Sequence, residues 1–306
     1  MTAVPVLAPT REELQRVLAG PGPSARRVAL VPTMGALHDG HASLMARARA
    51  EVGDEGLVVV SVFVNPLQFG PGEDLDRYPR TLDADVAVCA GQGVDVVFAP
   101  SADEVYPHGV PTDPASESVT VDPGALGAVL EGESRPGHFR GVLTVVAKIL
   151  GLVRPDVAIF GQKDYQQLVL IRRMVADLCL GVQVIGADTV READGLALSS
   201  RNRYLTSGQR TAALALSRAL RAAQERASYG VPPARWAAMA VLLSEPGIEL
   251  DYLALRTPEL AEITDDYPGH LEGRVLVAAR VGSTRLLDNL PITFGPRACA
   301  TPEGES

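Results

Sequence analysis

The chain has 306 residues, 46% of them hydrophobic, and a formal net charge of −9. That is apolar mass for one large or two moderate domains, and the acidic balance excludes a nucleic-acid sheath while leaving room for a local basic pocket. Cys89, Cys179 and Cys299 lack metal-ligand spacing and fit a reducing cytoplasm, and no segment reads as a signal peptide or is apolar for long enough to span a bilayer. In chain order, Thr10-Arg11-Glu12-Glu13 is a capping box opening a short helix. "RRVALV" reads as a buried strand, residues 40–52 as a helix, and "LVVVSVFV" (57–64) as a second continuous apolar strand. "TLDADVAVCAGQG" predicts a helix closed by glycines and "VDVVFAP" a third strand. "GVLTVVAKILGLV" is a helix stopped before Pro155, "VAIFG" a fourth strand, "DYQQLVLIRRMVADL" a helix and "GVQVIGA" a fifth strand. Apolar strands alternating with helices predict an α/β fold, a mostly parallel sheet covered on both faces.

After about Val190 the pattern changes. Two long helices, "SGQRTAALALSRALRAAQERA" and "VPPARWAAMAVLLS", precede segments that alternate like antiparallel strands, "IELDYLALRT" and "RVLVAARVGSTRLLDNL". These predict a smaller α+β domain. The final "PRACATPEGES", residues 296–306, reads as a flexible tail. No internal repeat or low-complexity segment is present.

Ligands of a doubly wound sheet bind beyond the carboxyl ends of its strands; two polar stretches stand at such places, and a third stands where the two predicted domains meet. "PTMGALHDGH" (32–41) follows the first predicted strand and leads into a helix. It carries two of the five histidines, His38 and His41, three positions apart, where exposed amides and the helix dipole attract anions. Small residues at 35, 36 and 40 permit close approach of a ligand to the backbone. This suits a phosphate held by imidazole N–H groups; the bland alternative is a capping loop with two solvated histidines. A zinc pair lacks an obvious third ligand. "FGQKDYQQL" (160–168) also follows a strand. Only two of the 28 Lys plus Arg are lysine, Lys148 and Lys163, and the compact Lys163 ammonium suits phosphate oxygens. Asp164 reads either as a helix cap or as a ribose ligand, and Lys148 as a mid-helix surface residue. "DGLALSSRNRYL" (194–205) offers Ser199, Ser200 and Arg201 in a row, equally a phosphate clamp or an ordinary loop. Asn65, Gln68 and Gln167 are amides near strand ends that could read hydroxyls or a carboxylate, or simply shape turns. Neither G-x-x-x-x-G-K-[ST] nor a post-strand G-x-G-x-x-G is present.

"PTMGALHDGH", "FVNPLQFG", "YPRT", "EGESRPGHFRGVLTVV", "FGQKDYQQLVLIRRMV" and "READGLALSSRNRYL", in this order, closely resemble the pantothenate synthetase (pantoate–β-alanine ligase) family of the HIGH-motif nucleotidyltransferase superfamily, over about residues 5–295. The resemblance implies a Rossmann-like doubly wound domain for nucleotide and pantoate (residues 1–189) and a smaller C-terminal lid domain (190–295). It implies ATP-dependent condensation of (R)-pantoate with β-alanine through a pantoyl adenylate, giving (R)-pantothenate, AMP and pyrophosphate. By motif match, Met34, Gly35, Ala36, Leu37, His38, Asp39, Gly40 and His41 would form the first nucleotide loop, with His38 and His41 on the phosphates and His41 in the proton-donor position. Gly161, Gln162, Lys163 and Asp164 would hold ribose and phosphates, and Val190 would meet adenine through its backbone. Leu198, Ser199, Ser200 and Arg201 would form the flexible second phosphate loop. Gln68 and Gln167 would bind pantoate, Gln68 also β-alanine. His38, His41, Lys163, Ser199 and Arg201 would carry catalysis; His41 and Lys163 are expected to face solvent in the empty cleft. Magnesium would bridge the distal phosphates, with no protein ligand assigned. Some relatives carry paired acids near the magnesium where this chain has Ala84-Asp85, and many have methionine at the position of Leu198. The resemblance also implies a cytoplasmic homodimer acting on neither nucleic acid nor membrane. The alternatives are a nucleotidyltransferase of the same architecture acting on another small acid or phosphate, and a binding protein with a decayed site.

Overall fold

The computed structural model describes residues 4–20, 26–70, 75–111, 118–267 and 269–295. The segment 296–306, read as a tail, lies outside the described residues. The chain divides into two units, Met1–Val190 and Arg191–Ser306.

The first unit contains six parallel strands: β1 (Val6–Ala8), β2 (Val28–Thr33), β3 (Leu57–Val62), β4 (Val96–Phe98), β5 (Val157–Gly161) and β6 (Gln183–Ala187). Their spatial order is β1-β4-β3-β2-β5-β6. Its helices are α1 (Arg11–Ala19), α2 (Asp39–Val52), α3 (Leu82–Gly91), α4 (Ala102–Val105), α5 (Glu131–Ser134), α6 (His138–Val153) and α7 (Tyr165–Asp177). β3 reads as unbroken apolar sequence because helices cover both faces of a doubly wound sheet, and its first five residues are all buried. One face carries Val31, Val58, Val60, Val97 and Ile159 against Leu44, Met45 and Ala48 of α2. Of the predicted capping box at Thr10, the structure shows the cap half: the Thr10 hydroxyl accepts the Glu13 amide at 3.2 Å, while the Glu13 carboxylate accepts that hydroxyl at 2.9 Å instead of the Thr10 amide.

Several boundaries differ from the sequence reading. β1 pairs with β4 at the sheet edge, but three residues with Val6 and Leu7 exposed carry too little periodicity to be noticed. β3 ends at Val62, just before the Asn65-Pro66 turn. α6 begins at His138, a turn earlier than expected, after Gly137 in the left-handed region. A 3-10 turn over Gln162–Asp164 precedes α7, so Asp164, expected to open the helix, sits on the turn with Lys163.

In the second unit, α8 (Ser207–Arg226) and α9 (Val231–Leu243) pack on an antiparallel sheet of β7 (Glu249–Arg256), β8 (Leu271–Val281) and β9 (Thr284–Phe294). β8 and β9 pair along their whole length, closing at Val281↔Thr284 around Gly282, whose φ of 61° suits a two-residue hairpin turn. Leu216 and Leu220 of α8 and Ala234 and Ala238 of α9 bury against Val275, Val277, Ala279 and Phe294.

α6 lies unusually close to the turn after β3. A Cβ on Gly141 would stand 2.3 Å from the Leu67 carbonyl oxygen and 2.7 Å from the Gln68 Cα. Alanine normally gains about 1 kcal/mol over glycine inside a helix, but here backbone would have to move. Gly141→Ala should therefore destabilise by about 1–3 kcal/mol; a denaturant melt with unchanged or raised midpoint would contradict this packing.

Candidate active site at the sheet switch point

β2 pairs with β3 on one side and β5 on the other, through Ala29↔Val157 and Leu30↔Ala158. Successive strands run outward from β2 to β4 in one direction and from β5 to β6 in the other. The loops leaving β2 and β5 therefore diverge from adjacent strand ends, where a doubly wound sheet opens a crevice.

The β2 loop enters α2 through its two histidines. His38 is the N-cap, and its Nδ1 accepts the Gly40 amide at 3.1 Å. His41 is the third helical residue, and its Nδ1 accepts the His38 amide at 3.3 Å. With Nδ1 an acceptor in both, each neutral imidazole carries its proton on Nε2, on the far side of the ring. The ring centroids are 4.1 Å apart. Burial, then the neighbouring His38, pushes the His41 pKa down to about 3, with Lys163 lowering it further and Asp164 opposing. The β2 and β5 loops thus share one electrostatic neighbourhood. His41 and Lys163, expected to face solvent, are each half-buried; the Lys163 side chain keeps 20% exposure, with Nζ 3.5 Å from Asp164 Oδ1.

Met34, Leu37 and Gly40 are half-buried, Gly35 and Ala36 buried, and Asp39 exposed. Gly35 and Ala36 have φ of 82° and 51°. Beneath them lies Asp85, which is 2% exposed. Its oxygens accept the Ala36 amide at 3.2 Å and the Leu37 amide at 2.8 Å, and the Thr81 hydroxyl at 3.3 Å to each oxygen. Ala84 points to the exposed face of α3.

Across the β5 loop, the Gln162 amide donates to the Gly186 carbonyl at 3.1 Å and to Asp188 Oδ1 at 3.0 Å. This ties the turn of Gly161, Gln162, Lys163 and Asp164 to the end of β6. Val190, half-buried, follows three residues after β6.

The turn after β3 holds Gln68 on a fully engaged amide. Asn65, 1% exposed, accepts the Leu67 amide at 3.3 Å and the Tyr106 hydroxyl at 2.7 Å. It donates to Gln68 Oε1 at 3.2 Å and to the Gly141 carbonyl at 3.1 Å. His138 Nδ1 donates to the Gln68 carbonyl at 2.8 Å, and Gln68 Nε2 reaches Met34 Sδ at 2.8 Å. The β2 and β3 loops are thereby joined. Gln167 is half-buried on α7, and its side chain makes no hydrogen bond among the described residues. Its neighbour Gln166 is a brace, accepting the Glu131 amide at 3.0 Å and donating to the Leu126 and Val129 carbonyls at 2.8 and 2.9 Å. Lys148, read as a surface residue, is half-buried with its ammonium 5.2 Å from the Tyr106 ring centre. Asp85, Tyr106, His138 and Gln166 were assigned no site role from the sequence, and Asn65 was read only as a ligand amide or a turn former. Their signal was a buried polar side chain, which needs the fold to be seen.

In the second unit, Leu198, Ser199, Ser200 and Arg201 are half-buried, and Ser200–Tyr204 forms a 3-10 turn capped by Ser199, whose hydroxyl accepts the Arg201 amide at 3.3 Å. Both flanks are anchored by arginine. Arg191 grips Asp288 at 2.7 and 2.9 Å and the Gly195 carbonyl at 3.1 Å. Arg210 reaches Glu192 and Asp194, each at 2.6 Å. Asn202 donates to Glu192 at 2.7 Å and to the Ala197 carbonyl at 3.1 Å. The Arg210 hydrogen bond holds the Glu192 carboxyl below the usual carboxylate range.

A family model described as pantoate-beta-alanine ligase matches residues 7–291. The chain belongs to the pantoate–β-alanine ligase family. A pantothenate synthetase of Nocardioides sp. is 62% identical over 309 residues, covering 100% of this chain and 90% of the relative. One from Thermobifida fusca is 56% identical over 296 residues, covering 95% and 96%. A crystal structure of pantothenate synthetase from Thermus thermophilus matches with a TM-score of 0.83 at 48% identity, covering 93% of this chain and 98% of that one. The pantoate–β-alanine ligase of Francisella tularensis, crystallised with β,γ-ATP and β-alanine, matches with a TM-score of 0.74 at 33% identity, covering 94% and 97%.

The histidine geometry has a measurable consequence in this family member. Because its pKa is lowered, His41 stays neutral in the folded chain where an unfolded histidine, near 6.5, would protonate. Between those values the unfolded state binds the extra proton, so this residue's contribution to stability falls as pH drops below about 6.5. Imidazole NMR of the ligand-free protein should show one ring, lost in His41→Asn, with no titration between pH 8 and pH 5. A midpoint near neutrality for that ring would contradict the described burial.

Proposed function

We propose that the switch-point loops activate ATP for attack by the pantoate carboxylate, and that the chain condenses (R)-pantoate with β-alanine to (R)-pantothenate, AMP and pyrophosphate. A carboxylate cannot lose oxide to an amine at neutral pH. Attack of its oxygen on the α-phosphate expels pyrophosphate and makes pantoyl adenylate; the β-alanine amine then attacks the acyl carbon and AMP leaves with that oxygen. No enzyme nucleophile is needed, so the protein's task is positioning and stabilisation of phosphoryl charge.

The observation that carries this reading is the tautomer lock of His38 and His41 beside Lys163. Two Nδ1 atoms are committed to backbone amides, which leaves Nε2–H as the donor of each ring. A neutral His41 acts in this proposal as a hydrogen-bond donor to phosphate oxygens, with Lys163 supplying positive charge. Gly161, Gln162 and Asp164 would hold ribose and phosphate, and Val190 adenine. Gln68 and Gln167 would take pantoate, with Gln68 also near the β-alanine site. Ser199, Ser200 and Arg201 are assigned to the phosphates by motif match, and Leu198, similar to methionine in volume, should serve as well in that loop.

Magnesium enters this proposal bound to the distal phosphates of ATP, where it would neutralise charge on departing pyrophosphate. The described residues contain no group of three or more His, Cys, Asp and Glu that could hold a metal. Asp85 is already committed to two amides and a hydroxyl. A cytoplasmic homodimer completes the proposal; among the described residues no helix is long and apolar enough to cross a membrane.

Labelled pyrophosphate should exchange into ATP with pantoate and magnesium present and β-alanine absent. His41→Ala and Lys163→Ala should each slow adenylate formation on the order of a hundredfold, about 2.7 kcal/mol. Preformed pantoyl adenylate should still react with β-alanine on both variants far faster than the first step runs. Release of ADP and orthophosphate by the wild type would overturn the adenylate route. Equal losses in both half-reactions would remove the phosphate role of these two side chains. His41→Ala also removes a helix-cap contact, costing about 1 kcal/mol, so melting curves should accompany the rates.

A further inference from the structure

We infer that Asp85 is a positioning residue for adenylate formation, a buried carboxylate that sets the loop carrying His38 and His41. The inference rests on the function proposed above. Asp85 lies one turn into α3, its own amide bonded to the Thr81 carbonyl at 2.9 Å. The start of a helix favours a negative side chain, and the Thr81 hydroxyl bonds it at 3.3 Å. These contacts offset the cost of burying it. From there it takes two consecutive loop amides, Ala36 and Leu37.

Two features show that the loop is built around this carboxylate. Ala36 has a φ of 51°, a left-handed conformation that costs a side-chain-bearing residue about 1–2 kcal/mol and persists only where the surroundings enforce it. At Gly35, with φ of 82°, a Cβ would stand 2.9 Å from Asp85 Oδ2 and 3.1 Å from Val62 Cγ1, so the backbone is seated directly on the acid. The next residue after the clamped pair is His38, and His41 is bonded back to the His38 amide. A shift at residues 36 and 37 is therefore passed to both imidazoles.

The clamp also decides how the loop can treat a triphosphate. The Ala36 and Leu37 amides are consumed by Asp85, unlike the amides of a glycine-rich phosphate cradle. These two amides are thereby withheld from a phosphate, and the imidazole donors that follow them take their direction from below. Asp85 accordingly supports adenylation through the loop.

Three variants test this: Asp85→Ala, Asp85→Asn and Gly35→Ala. Wild-type pyrophosphate exchange is measured first, and its absence would sink the function proposed above rather than the clamp. With wild-type exchange in place, Asp85→Ala should slow adenylation about a hundredfold, the loss of two charge-assisted hydrogen bonds. Aminolysis of preformed pantoyl adenylate should change less than about threefold, and the half-saturating magnesium concentration should not change. Asp85→Asn keeps one acceptor oxygen and nearly the same shape, so it should fold and fall about tenfold; it decides the matter if Asp85→Ala does not fold. Gly35→Ala leaves the carboxylate in place but unseats the loop, and should reproduce the Asp85→Ala pattern. Folded variants with unchanged adenylation, recovery of rate at high magnesium, or equal losses in both half-reactions would each overturn the inference.

Discussion

The pairing of β2 with β5 is the constraint on which the first unit depends. These strands are far apart in sequence, yet Ala29 and Leu30 lie in register with Val157 and Ala158. Once they are neighbours, winding outward in both directions leaves their carboxyl-end loops without a covering crossover between them. One loop supplies paired imidazoles, the other an ammonium. Pairing also makes the site electrostatically single: the depressed His41 pKa registers Lys163 and Asp164 across the gap.

Around that junction the protein spends buried polar groups on geometry rather than on ligand contact. Asp85 fixes the β2 loop and Asn65 the β3 turn, while Gln166 fixes the segment before α5. Each is satisfied on nearly every side, which is what makes a buried polar group tolerable and its neighbours rigid. Burial raises the Tyr106 pKa, so its hydroxyl stays a donor to Asn65. The same logic recurs in the second unit, where Arg191 and Arg210 pin both flanks of the turn at Ser199–Arg201. These arginines bind carboxylates or carbonyls in planar fashion, a task suited to a guanidinium. The two lysines do other work: Lys148 lies over an aromatic ring, and Lys163 stands on the turn after β5 beside Asp164.

Much of this was legible before any coordinates. Continuous apolar strands such as residues 57–62 announce a sheet covered on both faces, and the helices between them announce parallel connections. The histidines at a strand-to-helix junction marked the β2 loop, because scarce residues at an anion-favouring place carry information. What the sequence hid was long-range. Asp85 in "TLDADVAV" looks like an ordinary first-turn acid, and only the fold places it under Gly35. Asn65 looked like a turn former, which it is, but its other contacts reach Tyr106 and Gly141, far along the chain. The half-burial of His41 was missed for the same reason: a local pattern shows the loop but not its neighbours. β1 was missed because an edge strand of three residues has no period to read.

In the proposed reaction the crevice between the β2 and β5 ends directs a carboxylate oxygen to the α-phosphate of ATP. The most direct measurement follows that oxygen. Pantoate labelled with 18O in its carboxylate, turned over with ATP, magnesium and β-alanine, should deliver one labelled oxygen to the phosphate of AMP, detectable by mass spectrometry or 31P NMR. Label found instead in orthophosphate, with unlabelled nucleotide, would place the attack on the terminal phosphate and contradict the account.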